Sequence, residues 1–291
     1  MKFNCIICKG QDCATISSKT RDSKNQVVKC KLCTHIQLHP KPSEKDDIKF
    51  YNRDLQTKLL HPAINIAELK IRSEADTSRR VKAISKTFAK NQSLLDIGTG
   101  YGFFLEALKK AGFNPTGIEI GKDRRIIAKK VTSVPIWSNK IKGPNRSGKK
   151  FDIICLFHVL EHIQDPIKLC SDLKSYLKKN RTLIIEVPNT NHYLLNIDKH
   201  YRNFYWQRAH ISYFTAETVK VVLKKAGFRK VKIVGVQRYT FINAANWLIF
   251  KKPQLKNPSY KTGIFSQVDN LYRKFLINNL SCDTLWIEAK V

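Results

Sequence analysis

Between positions 94 and 102 the chain reads Leu94-Leu95-Asp96-Ile97-Gly98-Thr99-Gly100-Tyr101-Gly102. A short, mostly apolar run enters a loop with glycine at alternate positions, and Phe104, Leu105 and Leu108 then share one helical face. Strand, glycine turn and helix in that order constrain the chain to an α/β unit with a ligand loop. The glycines let the backbone turn sharply and let a ligand approach it closely. Glu119 stands at the tip of the next expected strand, 21 positions after Gly98. A carboxylate there can accept both hydroxyls of a ribose.

The glycine order is G-x-G-x-G, and Phe103 interrupts the G-x-G-x-x-G of dinucleotide sites. Asp96 at the mouth of the loop discriminates further. A carboxylate repels a pyrophosphate and attracts an ammonium group. S-adenosylmethionine carries an ammonium and a sulfonium and no phosphate, so the acid selects it as the expected cofactor.

Downstream, short apolar strands alternate with helical stretches: Leu94–Ile97, Pro115–Ile120, Val134–Trp137, Phe151–Phe157, Thr182–Val187, Val231–Val236 and Thr284–Ala289. This alternation predicts an α/β fold, a doubly wound, seven-stranded, mostly parallel sheet. Leu108-Lys109-Lys110-Ala111-Gly112-Phe113 recurs in residue type as Leu223-Lys224-Lys225-Ala226-Gly227-Phe228. Both read as a helix end with glycine in a left-handed cap and a phenylalanine folded back on the last turn.

Eight cysteines are present, and four form two C-x-x-C pairs, Cys5/Cys8 and Cys30/Cys33, with 21 residues between them. Two such turns complete a tetrahedral thiolate shell for structural Zn²⁺, as in a zinc ribbon. A shell closed by four thiolates leaves no position for catalysis. Cys155 and Cys170 fall in apolar surroundings and read as core residues.

Taken together, Asp96 to Gly102 with Glu119, Phe151-Asp152-Ile153-Ile154, Val159-Leu160-Glu161-His162 and Ile185-Glu186-Val187-Pro188-Asn189 resemble class I S-adenosylmethionine-dependent methyltransferases over roughly residues 90–236. With the cysteine module the chain is similar to the group holding the deoxysugar C-methyltransferases of nucleotide-sugar pathways. That resemblance implies a Rossmann-like methyltransferase domain. It implies that Asp96, Gly98, Thr99, Gly100 and Gly102 hold the methionyl part of the cofactor, that Glu119 holds the ribose, and that Phe157 also lines the cofactor site. Where the family often has an acid near adenine, this chain has Ile136-Trp137-Ser138-Asn139, which leaves Trp137 or Ser138 for that contact.

His158-Val159-Leu160-Glu161-His162 matches H-x-x-E-H, but zinc-protease chemistry needs that motif on a helix. Here it follows an apolar strand, and Asp165-Pro166 marks the next helix start. Just past a strand's carboxyl end an imidazole can remove a proton from an acceptor. The resemblance favours His162 as base, with Glu161 beside it and His158 nearer the methyl donor. Glu161 can also form a cation site with the two histidines. The stretch from His200 to His210, rich in aromatics and arginines, suits a sugar or aromatic acceptor with an anionic tail, or a packed insertion, and Tyr51 is placed to cover the substrate.

The expected domain plan is a zinc ribbon at 1–45, a helical connector or lid at 46–91 and a methyltransferase domain at 92–291. The chain of 291 residues carries a formal charge of +30. Lysine is dispersed along it, which reads as a solvated face. A positive field also suits a nucleotide-diphosphate acceptor. The expected reaction is methyl transfer to a small molecule, a nucleotide-linked sugar by resemblance. The alternatives are an RNA methyltransferase using the basic surface and zinc ribbon, and a non-catalytic binding protein with the cofactor fold. Lacking a long apolar span or a signal-peptide pattern, the chain is expected to be cytoplasmic.

Overall fold

Aliphatic runs of four to seven residues bounded by glycine, proline or asparagine settle into strands, and the i, i+3, i+4 apolar spacings between them settle into helices. The computed structural model describes residues 2–43, 46–47, 65–138, 141, 143, 145, 148–252 and 263–291. Tyr51 lies outside the described residues. In chain order the elements are β1 (Cys13–Ser17), β2 (Gln26–Cys30), β3 (Ile36–His39), α1 (Ile66–Thr87), β4 (Ser93–Ile97), α2 (Phe103–Lys110), β5 (Asn114–Ile118), α3 (Lys122–Val131), β6 (Ile136–Trp137) and β7 (Phe151–Phe157). There follow α4 (Pro166–Lys174), β8 (Leu177–Pro188), α5 (Tyr193–Ile197), α6 (Lys199–Tyr205), β9 (Ser212–Tyr213), α7 (Ala216–Lys225), β10 (Lys230–Val236), α8 (Phe241–Phe250), α9 (Gly263–Asn278) and β11 (Thr284–Lys290).

Seven strands form one sheet in the order β10-β11-β8-β7-β4-β5-β6, as the alternating pattern predicts. The central strand β4 pairs in parallel with β5 on one side and β7 on the other. The strand order reverses at β4, and such a switch point opens a crevice outside the carboxyl ends of the strands. The chain divides into two compact units, one of Met1–Pro42, Leu160–Ile167 and Ile185–Glu288 and another of Ser43–Val159, Lys168–Ile184 and Ala289–Val291.

In the second unit, β4 and β7 are almost wholly buried, with Leu94, Leu95, Ile153, Ile154, Cys155 and Leu156 at 0% exposure. Helix α2 buries Phe104, Leu105 and Leu108, the face its spacing predicts. The two repeated junctions close identically. Phe113 N–H donates to the Leu108 carbonyl and Gly112 N–H to Lys109, while Phe228 donates to Leu223 and Gly227 to Lys224. Gly112 and Gly227 take φ of 90° and 89°, where a side chain would be strained.

In the first unit, β1, β2, β3 and β9 make a separate four-stranded sheet. Its last strand comes from far along the chain, with Ile36 opposite Tyr213 and Gln37 opposite Ser212. Val27, Leu38, Trp206 and Tyr213 pack as its core. Within α6 only Tyr201 is buried, packing edge-on against Trp247 at 5.1 Å; just after it, the buried Trp206 packs against Tyr213 at 4.8 Å.

At the amino ends of the central strands, Asp152 accepts hydrogen bonds from Ser93 N–H at 3.0 Å, Ser93 Oγ at 2.7 Å and Lys178 Nζ at 2.7 Å. Arg181 adds an ion pair at 3.1 Å. Burial acts to raise this carboxyl, but the lysine and serine donors outweigh it and hold it at about 2. Asp152 therefore ties β4, β7 and β8 together at the end of the sheet away from the glycine loop. Replacing it leaves the part-buried Ser93 donors without their acceptor and two cations without their partner, so Asp152→Ala should cost about 1–3 kcal/mol in urea unfolding. An unchanged midpoint would contradict the clamp.

Candidate active site and metal centre

Loops at the carboxyl ends of β4, β5 and β7 collect the residues that sequence analysis assigns to the cofactor, all within the second unit. Asp96 is 4% exposed, and its carboxylate accepts from the Thr99 hydroxyl at 3.1 Å. Desolvation raises it to about 7; the Thr99 hydrogen bond and the Arg80 guanidinium pull the other way, and Glu119 adds to the rise. Glu119 accepts the Gly100 N–H at 2.8 Å and the Gly121 N–H at 2.7 Å, so the glycine loop is stitched to the end of β5. The Glu119 N–H donates to the Trp137 carbonyl at 3.0 Å, which sets Trp137 beside it at the end of β6; Asn139 lies outside the described residues.

The loop glycines differ in what they permit. Gly98 has φ of 76°, and a Cβ there would sit 2.5 Å from Val159 Cγ2. Gly100 has φ of 60°, and a Cβ would meet nothing within 4 Å. Gly98 thus allows close packing within the chain, and Gly100 borders open space that a ligand can fill. Gly102 starts α2 with φ of 83°.

Phe157 packs edge-on against Phe104 at 5.1 Å, and the Arg80 guanidinium lies 4.6 Å over its ring. Arg80 does not stand out in the sequence. Its only signal is a basic residue on the helix preceding the glycine loop, indistinguishable there from many surface lysines. His158 leaves β7 with φ of 55°, an uncommon conformation for a non-glycine residue. The segment then makes one 3₁₀ turn, Leu160–His162, instead of the helix a zinc protease needs.

Glu161, His162 and His210 form a second cluster, in the first unit, with ligand atoms all within 4.8 Å of one another. The imidazole Nδ1 of His162 lies 2.6 Å from the Ala209 carbonyl, so it carries the proton and donates. That leaves Nε2 as the basic nitrogen, 4.0 Å from Glu161 Oε1. The ring of His210 meets that of His162 edge-on at 5.0 Å, and Gln207 holds His210 at 2.8 Å. This arrangement can move a proton or hold a divalent cation. The partner of Glu161 and His162 is His210, which the sequence places in an aromatic stretch without grouping it with them.

Cys5, Cys8, Cys30 and Cys33 converge in the same unit, again with sulfurs within 4.8 Å of one another. The pairs Cys5/Cys33 and Cys8/Cys30 are 3.5 Å apart, well beyond a disulfide bond. The two turns repeat one geometry. Lys9 N–H donates to the Cys5 carbonyl and Thr34 N–H to the Cys30 carbonyl, with φ of 66° at Lys9 and 61° at Thr34. Burial acts to raise the Cys8 thiol, but the Gly10 N–H and the neighbouring sulfurs prevail and lower it to about 7. Four thiols in this arrangement are compatible with a small zinc-binding module.

A family model described as "Methyltransferase domain" matches residues 69–233, more than half of the chain. The chain belongs to this family. The match takes in the glycine loop, Glu119, the Glu161–His162 turn and His210. The curated Ubiquinone biosynthesis O-methyltransferase of Actinobacillus pleuropneumoniae is 30% identical over 108 residues, 34% of this chain and 46% of that protein. The chain spans about half the length of the curated relatives it matches. A SAM dependent methyltransferase from Archaeoglobus fulgidus shares the fold with a TM-score of 0.52 at 23% identity, covering 75% of this chain and 94% of that one. Magnesium protoporphyrin IX methyltransferase from Synechocystis PCC 6803, solved with bound SAH, does so with a TM-score of 0.53 at 13% identity, covering 86% and 100%.

The two glycines make separable predictions for this methyltransferase-family chain. Gly98→Ala must displace Val159 as well as strain φ, and should lose about 1–3 kcal/mol more in urea unfolding than Gly100→Ala. Equal losses would contradict the distinction.

Proposed function

We propose that the chain transfers a methyl group from S-adenosylmethionine to a small-molecule acceptor. The observation that carries this reading is Asp96: a carboxylate cut off from water at the mouth of a glycine loop, pushed up to about 7, beside space left open at Gly100. An ammonium group delivered there regains the charge interaction that burial removed. The donor's amino-acid part carries a carboxylate as well, and Arg80, whose charge reaches Asp96, is the group to receive it. Gly98, Thr99, Gly100 and Gly102 let the donor lie against the backbone, Glu119 accepts the ribose hydroxyls, and Phe157 supplies an apolar wall. When bound, the donor supplies an electrophilic sulfonium methyl.

The chain's own contribution is to hold the reactants in line and to take one proton. His162 is the proposed base. Its Nδ1–H is committed to Ala209, so Nε2 receives the acceptor's proton, and Glu161 stabilises the imidazolium that results. In this reading His210 orients His162, and His158 is the histidine proposed to lie nearer the donor. The acceptor heteroatom or carbon gains the methyl as the carbon–sulfur bond breaks, and the sulfonium becomes a neutral thioether.

The four cysteines are proposed to bind structural zinc. The functional division proposed is a zinc ribbon (1–45), a connector (46–91) and a catalytic region (92–291). For the acceptor, the reading is a nucleotide-linked sugar, supported by the positive charge of +30 that favours a diphosphate. The curated relatives' printed role, O-methylation in ubiquinone biosynthesis, supports a small molecule over RNA.

His162→Ala should lower turnover by about 10²–10⁴-fold while leaving donor affinity within about twofold, read by steady-state kinetics and calorimetry. An unimpaired rate removes the assigned role. Arg80→Ala should weaken donor binding about tenfold or more; unchanged affinity contradicts the carboxylate contact. Labelled methyl should enter small molecules of a cell extract, and label in RNA would overturn the acceptor class. Purified chain should hold stoichiometric zinc by mass spectrometry, lost in Cys5→Ser/Cys30→Ser; a metal-free wild type would refute the site.

A further inference from the structure

Helix α9 carries Ile264, Val268, Leu271 and Phe275 at successive spacings of four, three and four, which places them on one stripe. In a helix of this length that stripe ordinarily faces a core. Here the four side chains are 70%, 41%, 68% and 66% exposed. The only buried residue of the helix is Leu276. Phe265, half exposed, adds to the apolar side and stacks on Phe241 at 6.3 Å. In the same unit, α8 ends in Leu248-Ile249-Phe250, exposed at 41%, 67% and 61%. Among the described residues, seven large apolar side chains of these two neighbouring helices, Phe265 aside, are 41% to 70% exposed, far more than the scattered exposure common on protein surfaces.

The two helices are firmly anchored. Phe241 N–H donates to Asp269 at 2.8 Å, Arg273 pairs with Asp269 at 2.6 Å, and Tyr272 shares a hydrogen bond with Tyr193 at 2.9 Å. The apolar stripe is a fixed feature of a held helix and not a frayed end.

Charge identifies what covers it. Lys252 lies two residues beyond the apolar end of α8 and Lys274 sits next to Phe275 on α9, while Lys251 pairs with Asp198 at 2.9 Å. The chain as a whole carries +30. A second copy would bring like charges together around the stripe, and nucleic acid can stack bases on the phenylalanine rings but offers nothing for the leucine, isoleucine and valine side chains that make up most of it. An anionic bilayer surface satisfies both: acyl chains for the leucine, isoleucine and phenylalanine side chains, headgroup phosphates for the lysine rim. Among the described residues no helix is long and apolar enough to cross a membrane.

We infer that the exposed face of α8 and α9 docks the protein on an anionic lipid surface. The face lies outside the residues proposed for donor binding and proton transfer, so its test reads binding and needs no turnover. The full chain is mixed with vesicles of phosphatidylcholine alone or phosphatidylcholine with phosphatidylglycerol, then floated on a density gradient, while light scattering reports its oligomeric state. Expected is flotation with the phosphatidylglycerol vesicles that weakens as salt rises. Leu271→Glu/Phe275→Glu should bind at least ~10-fold more weakly, since each side chain forfeits its transfer into the apolar layer. Lys252→Glu/Lys274→Glu should lose the preference for the anionic lipid. Both pairs are solvent-exposed, and an unchanged melting curve verifies their folding; the milder Leu271→Ser/Phe275→Ser serves if it does not. No wild-type flotation, or flotation untouched by the apolar substitutions, overturns the inference. A wild-type dimer that Leu271→Glu/Phe275→Glu dissociates, without vesicle binding, assigns the face to a second copy instead.

Discussion

A carboxylate withdrawn from water is costly until a cation joins it, and Asp96 imposes that condition at the switch point of the sheet. Parallel pairing of β4 with both β5 and β7 closes the two edges of the strand, and Asp96 near its carboxyl end is left only 4% exposed. The Thr99 hydroxyl and the charge of Arg80 soften the cost without removing it, since the carboxyl still rises to about 7. The fold thus creates a vacancy for positive charge, and Gly98 and Gly100 shape the backbone beside it. Glu119, held by the Gly100 and Gly121 N–H groups, fixes the second acid at the tip of the adjacent strand.

In the other unit the cysteine module does more than staple the amino terminus. Its sheet takes β9 as a fourth strand, and β9 directly follows Ala209 and His210. Arg21 reaches the Phe204 carbonyl at 3.1 Å and Gln207 at 2.7 Å, Asp22 accepts the Arg208 N–H at 2.7 Å, and Leu38 N–H bonds Ile211 at 3.0 Å. The short segment that orients His162 is therefore braced from the module. The module thereby helps set the Ala209 carbonyl that fixes the His162 tautomer.

How much of this was legible in the sequence follows from the kind of signal each part emits. The seven strands read clearly because each is an apolar run closed by turn residues, and the repeated Lys-Lys-Ala-Gly-Phe ends announced their caps through glycine. Membership of β9 in the cysteine sheet did not, because a two-residue strand has no periodicity and its partner lies far away in the chain. His210 was visible as a residue but not as a partner of Glu161, since that meeting depends on tertiary packing. Arg80 was hidden among many basic residues. The stripe on α9 shows the limit most plainly: a 3.6-residue period says which side chains share a face, not whether that face meets a core or the outside.

The central claim is most directly tested by counting protons during donor binding. Pairing with an ammonium should lower the Asp96 pKa from about 7, so the group must shed its proton as the donor arrives. Calorimetric titration of S-adenosylmethionine near pH 6, repeated in buffers of different ionisation enthalpy, should show release of ~0.9 proton per donor bound, falling toward none above pH 8 and absent in Asp96→Asn. Tight binding by the wild type with no proton released at pH 6 would contradict the account.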